Sequence, residues 1–245
     1  MRFYAINLIK NGKIHIMNKK ITRLGEASWI VGNILCAIGN CLVSKSAFGL
    51  SAIIAPAFIL NRKIGFLTVG MCEYLIQGIM LALCCIIIGK FKAKFIATIC
   101  NILFYGACFD IINFLLSFIQ PGTVVARIIV AAVGMIITGL GVALMLRTYI
   151  PPAAYEIFVK EIAEAKRFDM AKMKLIFDAS MLGLTVILMF LLLGGFRLDI
   201  IGPITVIAAF LNSVLIGFFG KILDKYCDFS PAIPKLYNLL NPKTK

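Results

Sequence analysis

Histidine is almost missing from this chain: His15 is the only one in 245 residues. That takes the commonest general base and metal ligand out of every apolar segment. No H-E-x-x-H, G-x-S-x-G or phosphate-loop pattern is present either. The chain has 8 cysteines but no C-x-x-C pair of zinc-site spacing. Cys36, Cys41, Cys72, Cys84, Cys85, Cys100 and Cys108 fall in apolar stretches and Cys227 follows the last one, so packing, not disulfide formation, is their expected role. An enzyme is therefore not expected, nor a metal or other cofactor. Acid is scarce too, with 11 Asp and Glu against 25 Lys and Arg and a net charge of +14.

What fills the chain is apolar. Hydrophobic residues make up 61% of it, against roughly 45–50% in soluble domains. Apolar runs able to cross a ~30 Å hydrocarbon layer as helices are placed near residues 29–43, 65–89, 95–118, 124–146, 175–195 and 200–219. The expected fold class is all-α, a polytopic membrane protein of six transmembrane helices. Residues 1–28 form a basic N-terminal segment, 29–219 the membrane domain, and 220–245 a polar tail expected to be partly disordered. With the N-terminus cytoplasmic, every Lys and Arg except Lys45, Arg62, Lys63, Arg127 and Arg197 lies on the inner side or in a terminus. This is the positive-inside pattern. It accounts for the basicity without nucleic acid and places both termini in the cytoplasm. Met17-Asn-Lys-Lys reads as a second start, which leaves residues 1–16 without an assigned role.

The stretch 147–160, Arg-Thr-Tyr-Ile-Pro-Pro-Ala-Ala-Tyr-Glu-Ile-Phe-Val-Lys, interrupts the apolar chain. Pro151 and Pro152 lack backbone N–H groups, and Pro151 disfavours helical geometry at Ile150. The arriving helix should stop near Tyr149, and a new one can start at Pro152. That second helix puts Tyr155, Ile157, Phe158 and Ile162 on its apolar side, with Glu156, Lys160, Glu161 and Glu164 opposite. Residues 48–58 carry a weaker break. There Gly49 and Pro56 bracket a stretch that contains Ser51, is too short to cross, and is divided by Pro56. A broken helix at that depth must be shielded by protein, because lipid cannot satisfy its backbone.

The two breaks belong to a weak internal repeat. With Val31 set on Val133, residues Gly32, Ile34, Gly39 and Leu42 meet identical residues, and Gly49 meets Pro151. At slightly larger shifts Glu73 meets Asp178, Asn101 meets Asn212 and Gly106 meets Gly217. Rising shifts are what loop insertions between repeated helices produce. Three spans per half turn the second half upside down, so the expected plan is a 3+3 inverted repeat of residues 29–118 and 124–219, broken after spans 1 and 4.

Polar residues inside such spans are costly and mark function by default. Glu73 lies ten residues beyond Lys63, about 15 Å along a helix, with Gln77 one turn on. Asp178 enters the fifth span from the inner side, and Asn212 sits in the sixth. Asp110 and Arg127 lie at comparable outer depths, so an ion pair between them is the structural expectation for both. Asn33, Ala37, Asn40 and Ser44 share one face of the first span, as glue between helices or as the lining of a polar pathway. The candidate substrate- or ion-binding residues are Glu73, Gln77, Asp178, Asn212, Asp110, Ser51, Tyr149, Tyr155 and Glu156.

Several blocks carry a family resemblance: residues 49–58, Glu73-Tyr-Leu-Ile-Gln77, Tyr105-Gly-Ala-Cys-Phe-Asp110, residues 148–160 and residues 209–217. Over about Arg23 to Gly220 the chain resembles the uncharacterised bacterial membrane proteins related to YczE and YitT. It departs at Gly202-Pro203, where Gly-Thr is expected. The resemblance implies a bacterial plasma membrane and supplies no reaction. The expected function is a small secondary transporter or exporter, proton-coupled through Glu73 and Asp178. The alternative is a non-transporting membrane accessory protein. Expected partners are the lipid bilayer and an unidentified small-molecule substrate; a homo-oligomer is left open.

The topology is testable with single cysteines on a cysteine-free background. Gly122→Cys should react with an impermeant maleimide from outside intact cells, and Lys166→Cys only after lysis. Outside labelling at position 166 would overturn it.

Overall fold

The computed structural model describes residues 9–10, 13–14 and 22–240. The expectations attached to His15, to Met17 and to the last five residues fall outside them. Short polar caps and left-handed residues punctuate an otherwise apolar chain. After the two-residue strands β1 (Ile9–Lys10) and β2 (Lys13–Ile14), which pair antiparallel, every regular element is a helix. Helix α1 (Gly25–Ser46) ends on the left-handed Ala47, with φ at 55°. Pro56 stands in the first turn of α2 (Ala55–Ile64). It therefore starts this helix and does not divide it, because the fixed φ suits a first turn whose N–H is unneeded. Thr68 Oγ1 accepts from Met71 N at 3.1 Å and opens α3 (Val69–Ile88), followed by α4 (Ala93–Leu115). Thr123 caps α5 (Val124–Met145) through Ala126 N at 3.2 Å. Beyond the second break come α6 (Ala154–Lys166), α7 (Met170–Leu193) capped by Asp169, α8 (Pro203–Tyr226) and α9 (Pro234–Leu240).

The surface inverts the soluble pattern. Ile86, Phe114, Leu191 and Val214 lie open, while Asn33, Glu73, Gln77, Thr98, Asn101 and Glu161 are buried. Among the described residues, five helices are long and apolar enough to cross a membrane: Gly25–Ser46, Val69–Ile88, Lys94–Leu115, Val124–Met145 and Lys172–Leu193. The sixth expected span falls in α8, which is not one of these five.

Helices α1 and α5 form the most extensive contact, running antiparallel with backbone against backbone. A Cβ added to Gly32 would stand 2.9 Å from the Gly141 carbonyl oxygen, and one on Gly39 would stand 2.6 Å from that of Gly134. The reverse additions are as tight, at 2.8 Å for both Gly141 and Gly134. Small residues are what let helices approach this closely where lipid offers no hydrophobic drive. Midway between these contacts Cys36 Sγ lies 3.9 Å from Thr138 O.

Both breaks find protein partners for their backbone. In the first, Leu50 N donates to Ile200 O at 2.8 Å and Ile204 N donates to Phe48 O at 3.0 Å. Gly49, at φ 110°, lies so near Gly202 that a side chain would collide with its backbone. In the second, α5 stops at Met145, earlier than Tyr149, because Thr148 turns back to hydrogen-bond Met145 O and Ile150 O at 3.1 Å each. The next helix begins at Ala154, two residues past Pro152.

The two ends of the bundle differ. One gathers the start of α1, the end of α5, α6 and the end of α8, where Arg147 grips Asp224 with bonds of 2.6 and 2.8 Å. The tail expected to be partly disordered docks here. Ala232 N and Ile233 N donate to Glu26 at 2.9 and 2.8 Å, and Tyr149 packs edge-on against Tyr237. Helix α1 starts at Gly25, before residue 28, and α8 runs past residue 220 to Tyr226.

The α1–α5 crossing makes a sharp prediction. Gly39→Ala should cost about 1–3 kcal/mol through overpacking against backbone, and Gly78→Ala, with open space around it, should be neutral or mildly stabilising. Thermal unfolding in detergent reads both; equal effects would contradict the packing.

Candidate functional site

Gln77 follows Glu73 by one helical turn, which puts both on the inner face of α3. Both are 1% exposed. Glu73 Oε2 accepts from Gln77 Nε2 at 2.9 Å and from the Tyr155 hydroxyl at 3.1 Å. Gln77 Oε1 in turn accepts from Ala154 N at 3.3 Å, one of the N–H groups that a helix start leaves without an internal partner. The acid, the amide and the first turn of α6 thus form one hydrogen-bonded unit. A carboxylate in this setting needs such donors, since burying it bare is prohibitive.

This unit opens on a cavity of about 220 Å³ between the two breaks. Asn33, Cys36 and Asn40 of α1 form one wall, and Thr138, Val142 and Met145 of α5 the next. Ser51, Ile53 and Ile54 come from the first break, Pro152 and Ala153 from the second. Tyr155 and Glu156 of α6, Tyr105 of α4, Lys174 of α7 and Asn212 of α8 close it. Asn40 Nδ2 donates to the Tyr105 hydroxyl at 2.9 Å, locking α1 to α4 at the rim.

Of the residues picked from sequence, Glu73, Gln77, Ser51, Tyr155, Glu156 and Asn212 meet at this cavity. Asp178, Asp110 and Tyr149 are not among its lining residues. Asp178 pairs with Lys174 at 2.9 Å one turn away on a half-exposed face. Asp110 accepts from Thr68 Oγ1 at 2.5 Å and from Gly70 N at 2.8 Å, fastening α4 to the start of α3. The expected Asp110–Arg127 pair is not made: Arg127 Nε donates to Pro121 O at 3.2 Å and its guanidinium lies over Phe48. The count from Lys63 to Glu73 also fails as a depth, since Lys63 belongs to α2 and Gly65 separates the two helices. Glu73 instead sits about one turn inside α3. Tyr105 and Thr138 were missed as candidates, because lone hydroxyls in apolar spans carry little signal. For Thr138 the repeat held a clue, as it aligns with Cys36.

A second hollow of about 360 Å³ adjoins the first and shares Met145, Leu146, Pro152, Glu156 and Lys174 with it. Lys94, Lys160, Thr148 and Tyr149 line its mouth. Burial pushes the Glu156 carboxyl above its usual range against the lowering pull of Lys174. Glu161 departs from expectation. It was placed on the polar side of α6 and is instead 1% exposed, bridged by Lys92 and Lys94. The bridge pins the far half of α6 to the start of α4. Among the described residues no three His, Cys, Asp or Glu side chains gather where a metal could sit.

A family model described as a family of unknown function (DUF6198) matches residues 25–221. No curated protein and no solved structure matches the chain.

The Glu161 bridge yields a stability prediction. Burial alone would raise this carboxyl, and the two lysine hydrogen bonds more than offset that, so it lies below its usual range. A depressed carboxylate stabilises the fold above its unfolded-state pKa, and that stability is lost as pH falls through the folded-state value. Glu161→Gln should cost about 1–3 kcal/mol at pH 7, because the partly exposed Lys92 and Lys94 lose their carboxylate but keep access to water, and Lys92→Ala less, because Lys94 remains. Unfolding midpoints of the purified variants at pH 7 and in acid check this; the Gln variant should lose part of the wild-type acid sensitivity.

Proposed function

We propose that this chain, which belongs to the family of unknown function DUF6198, is a small secondary transporter whose solute site is the cavity around Glu73. The carrying observation is that cavity: a buried carboxylate with one free oxygen, set between two helix breaks and beside the crossing of two antiparallel helices. Discontinuous helices meeting near a charged residue are the usual construction of solute sites in such proteins. The free carboxylate oxygen can take a proton or a solute's charge.

The packing supports an inverted repeat beneath the site. Gly32 aligns with Gly134 and Gly39 with Gly141, and the contacts pair Gly32 with Gly141 and Gly39 with Gly134. Exchanging the halves maps these contacts onto themselves, as a two-fold axis demands. The aligned pair Cys36 and Thr138 faces itself midway. Other contacts follow the same exchange: α1 on α4 and α5 on α8, α2 on α3 and α6 on α7, α3 on α6 and α7 on α2. The cavity lining also includes aligned partners, among them Asn40 with Val142, Ser51 with Ala153 and Ile53 with Tyr155. Two contacts break the exchange: α3 packs on α4 and α4 touches α6, with no α7–α8 or α8–α2 counterpart among the described residues. One of two alternating states would have such an asymmetry.

The reading includes six spans, with α8 as the sixth, both termini cytoplasmic, and the plasma membrane as location. Lys92, Lys94, Arg147 and Lys225 at one end, against Arg62 and Arg127 at the other, support that orientation. Kinship with the YczE and YitT proteins belongs to the same proposal and rests on the sequence blocks alone.

The test is proton movement in proteoliposomes carrying an internal pH dye, read against a panel of amines, organic anions, sugars and amino acids. Wild-type protein should move protons with at least one solute. Glu73→Gln should reduce that movement to background while folding is retained, and Asp178→Asn, outside the cavity, should slow it without abolishing it. Wild-type coupling in Glu73→Gln would remove the acid from the mechanism. Silence across the panel would favour the non-transporting accessory protein.

A further inference from the structure

We propose that the ligand of this cavity is a small primary amine with an apolar body. The walls carry unmet demand of a single kind. Glu73 Oε1, Glu156 Oε2, Asn33 Oδ1, Asn212 Oδ1 and Thr138 Oγ1 are buried atoms without a protein hydrogen-bond partner, and all five residues line this one cavity. With both carboxyls ionised the first four can only accept; the threonine hydroxyl can do either. Several of the donors nearby are already engaged. Tyr155 O–H and Gln77 Nε2 serve Glu73 Oε2, Asn40 Nδ2 serves Tyr105, and Asn33 Nδ2 donates to Trp29 O at 2.9 Å.

A molecule entering must therefore bring hydrogen-bond donors. An ammonium brings three and a positive charge, matched to Glu73 and Glu156. An anion would face both carboxylates. The one lining cation, Lys174, is paired with Asp178 at 2.9 Å. The remainder of the wall is apolar or aromatic, with Ile53, Ile54, Val142 and Ile216 to hold a hydrocarbon body and the rings of Tyr105 and Tyr155 beside it. At about 220 Å³ the space is below the roughly 300–1,000 Å³ of drug-sized sites, which keeps the ligand small. The inference deepens the transporter reading by naming its solute class, and it rests on that reading only for the movement, not for the binding.

Calorimetry on the full-length protein in detergent separates the two. The probes share one ring and nearly one length: phenethylamine, 2-phenylethanol and phenylacetate. Phenethylamine should bind at least about tenfold more tightly than the alcohol, and phenylacetate should not bind detectably. Glu73→Gln and Glu156→Gln should each weaken amine binding by about tenfold and weaken alcohol binding less, so that the preference for the amine falls; the second variant covers the case in which the first does not fold. Tighter binding of the alcohol or the acid overturns the proposal. So does an absence of amine binding in wild-type protein that unfolds cooperatively, or unchanged amine binding in both variants. Selective amine binding with no movement in proteoliposomes upholds the amine site and sinks transport. Movement of an anion with no amine binding does the reverse.

Discussion

Two helices that touch through glycine set the geometry around them. Because α1 and α5 meet at Gly32, Gly39, Gly134 and Gly141, their backbones come close, with Met145 packed against Gly32 and Val43 against Gly134. Asn33 and Asn40, each next in sequence to one of these glycines, and Thr138, which lies against Gly39, line the neighbouring space. Helices α4 and α8 pack on α1 and α5 respectively, which walls that space on two sides. In a soluble protein apolar burial would help hold such a pair together. In lipid the contact must rest on close packing and on polar groups that reach across it, so a single Cβ at the crossing should matter more than its volume suggests.

The buried acid imposes the second constraint. Glu73 needs donors, and α3 alone supplies only Gln77. The other donor, Tyr155, arrives from a helix too short to span. The double proline explains why that helix exists. It keeps the chain from resuming a helix after α5 has ended at Met145, and the first turn of α6 that follows it meets Gln77 and Glu73. The far half of α6 is tied by Glu161 to Lys92 and Lys94. A carboxylate contact at each end thus holds one short helix in a fixed position.

The long helices were legible in the sequence because their signals are local: long apolar runs and the prolines of the two breaks. The cavity was legible in part, because an acid or amide in an apolar run is conspicuous. Where the reading failed, the deciding partner was distant in sequence. Asp110 was matched with Arg127 on shared depth, yet the backbone of Gly70 and the hydroxyl of Thr68 are nearer and already ordered by the α3 cap. The sequence pattern puts Glu161 on the polar side of α6, because Lys92, 69 residues away, and its neighbour Lys94 leave no local signal of the bridge. The tail composition looked disordered, and no local pattern shows that Glu26 would accept two of its backbone N–H groups.

Comparing the acids with one another separates structure from function. Glu26 has Tyr149, Ala232 and Ile233; Asp110 has Thr68 and Gly70; Asp224 has Arg147; Glu161 has two lysines. Each of these is satisfied by neighbours that hold elements together, and each lies toward an end of the bundle. Glu73 and Glu156 differ, because each keeps a buried oxygen without a protein partner and both open on the same cavity. A protein able to satisfy its other acids could have satisfied these two with one more donor. Leaving them open costs stability. On the proposed reading a ligand or a proton offsets that cost, and the unsatisfied acceptors, more than the cavity's size or shape, are what that proposal rests on.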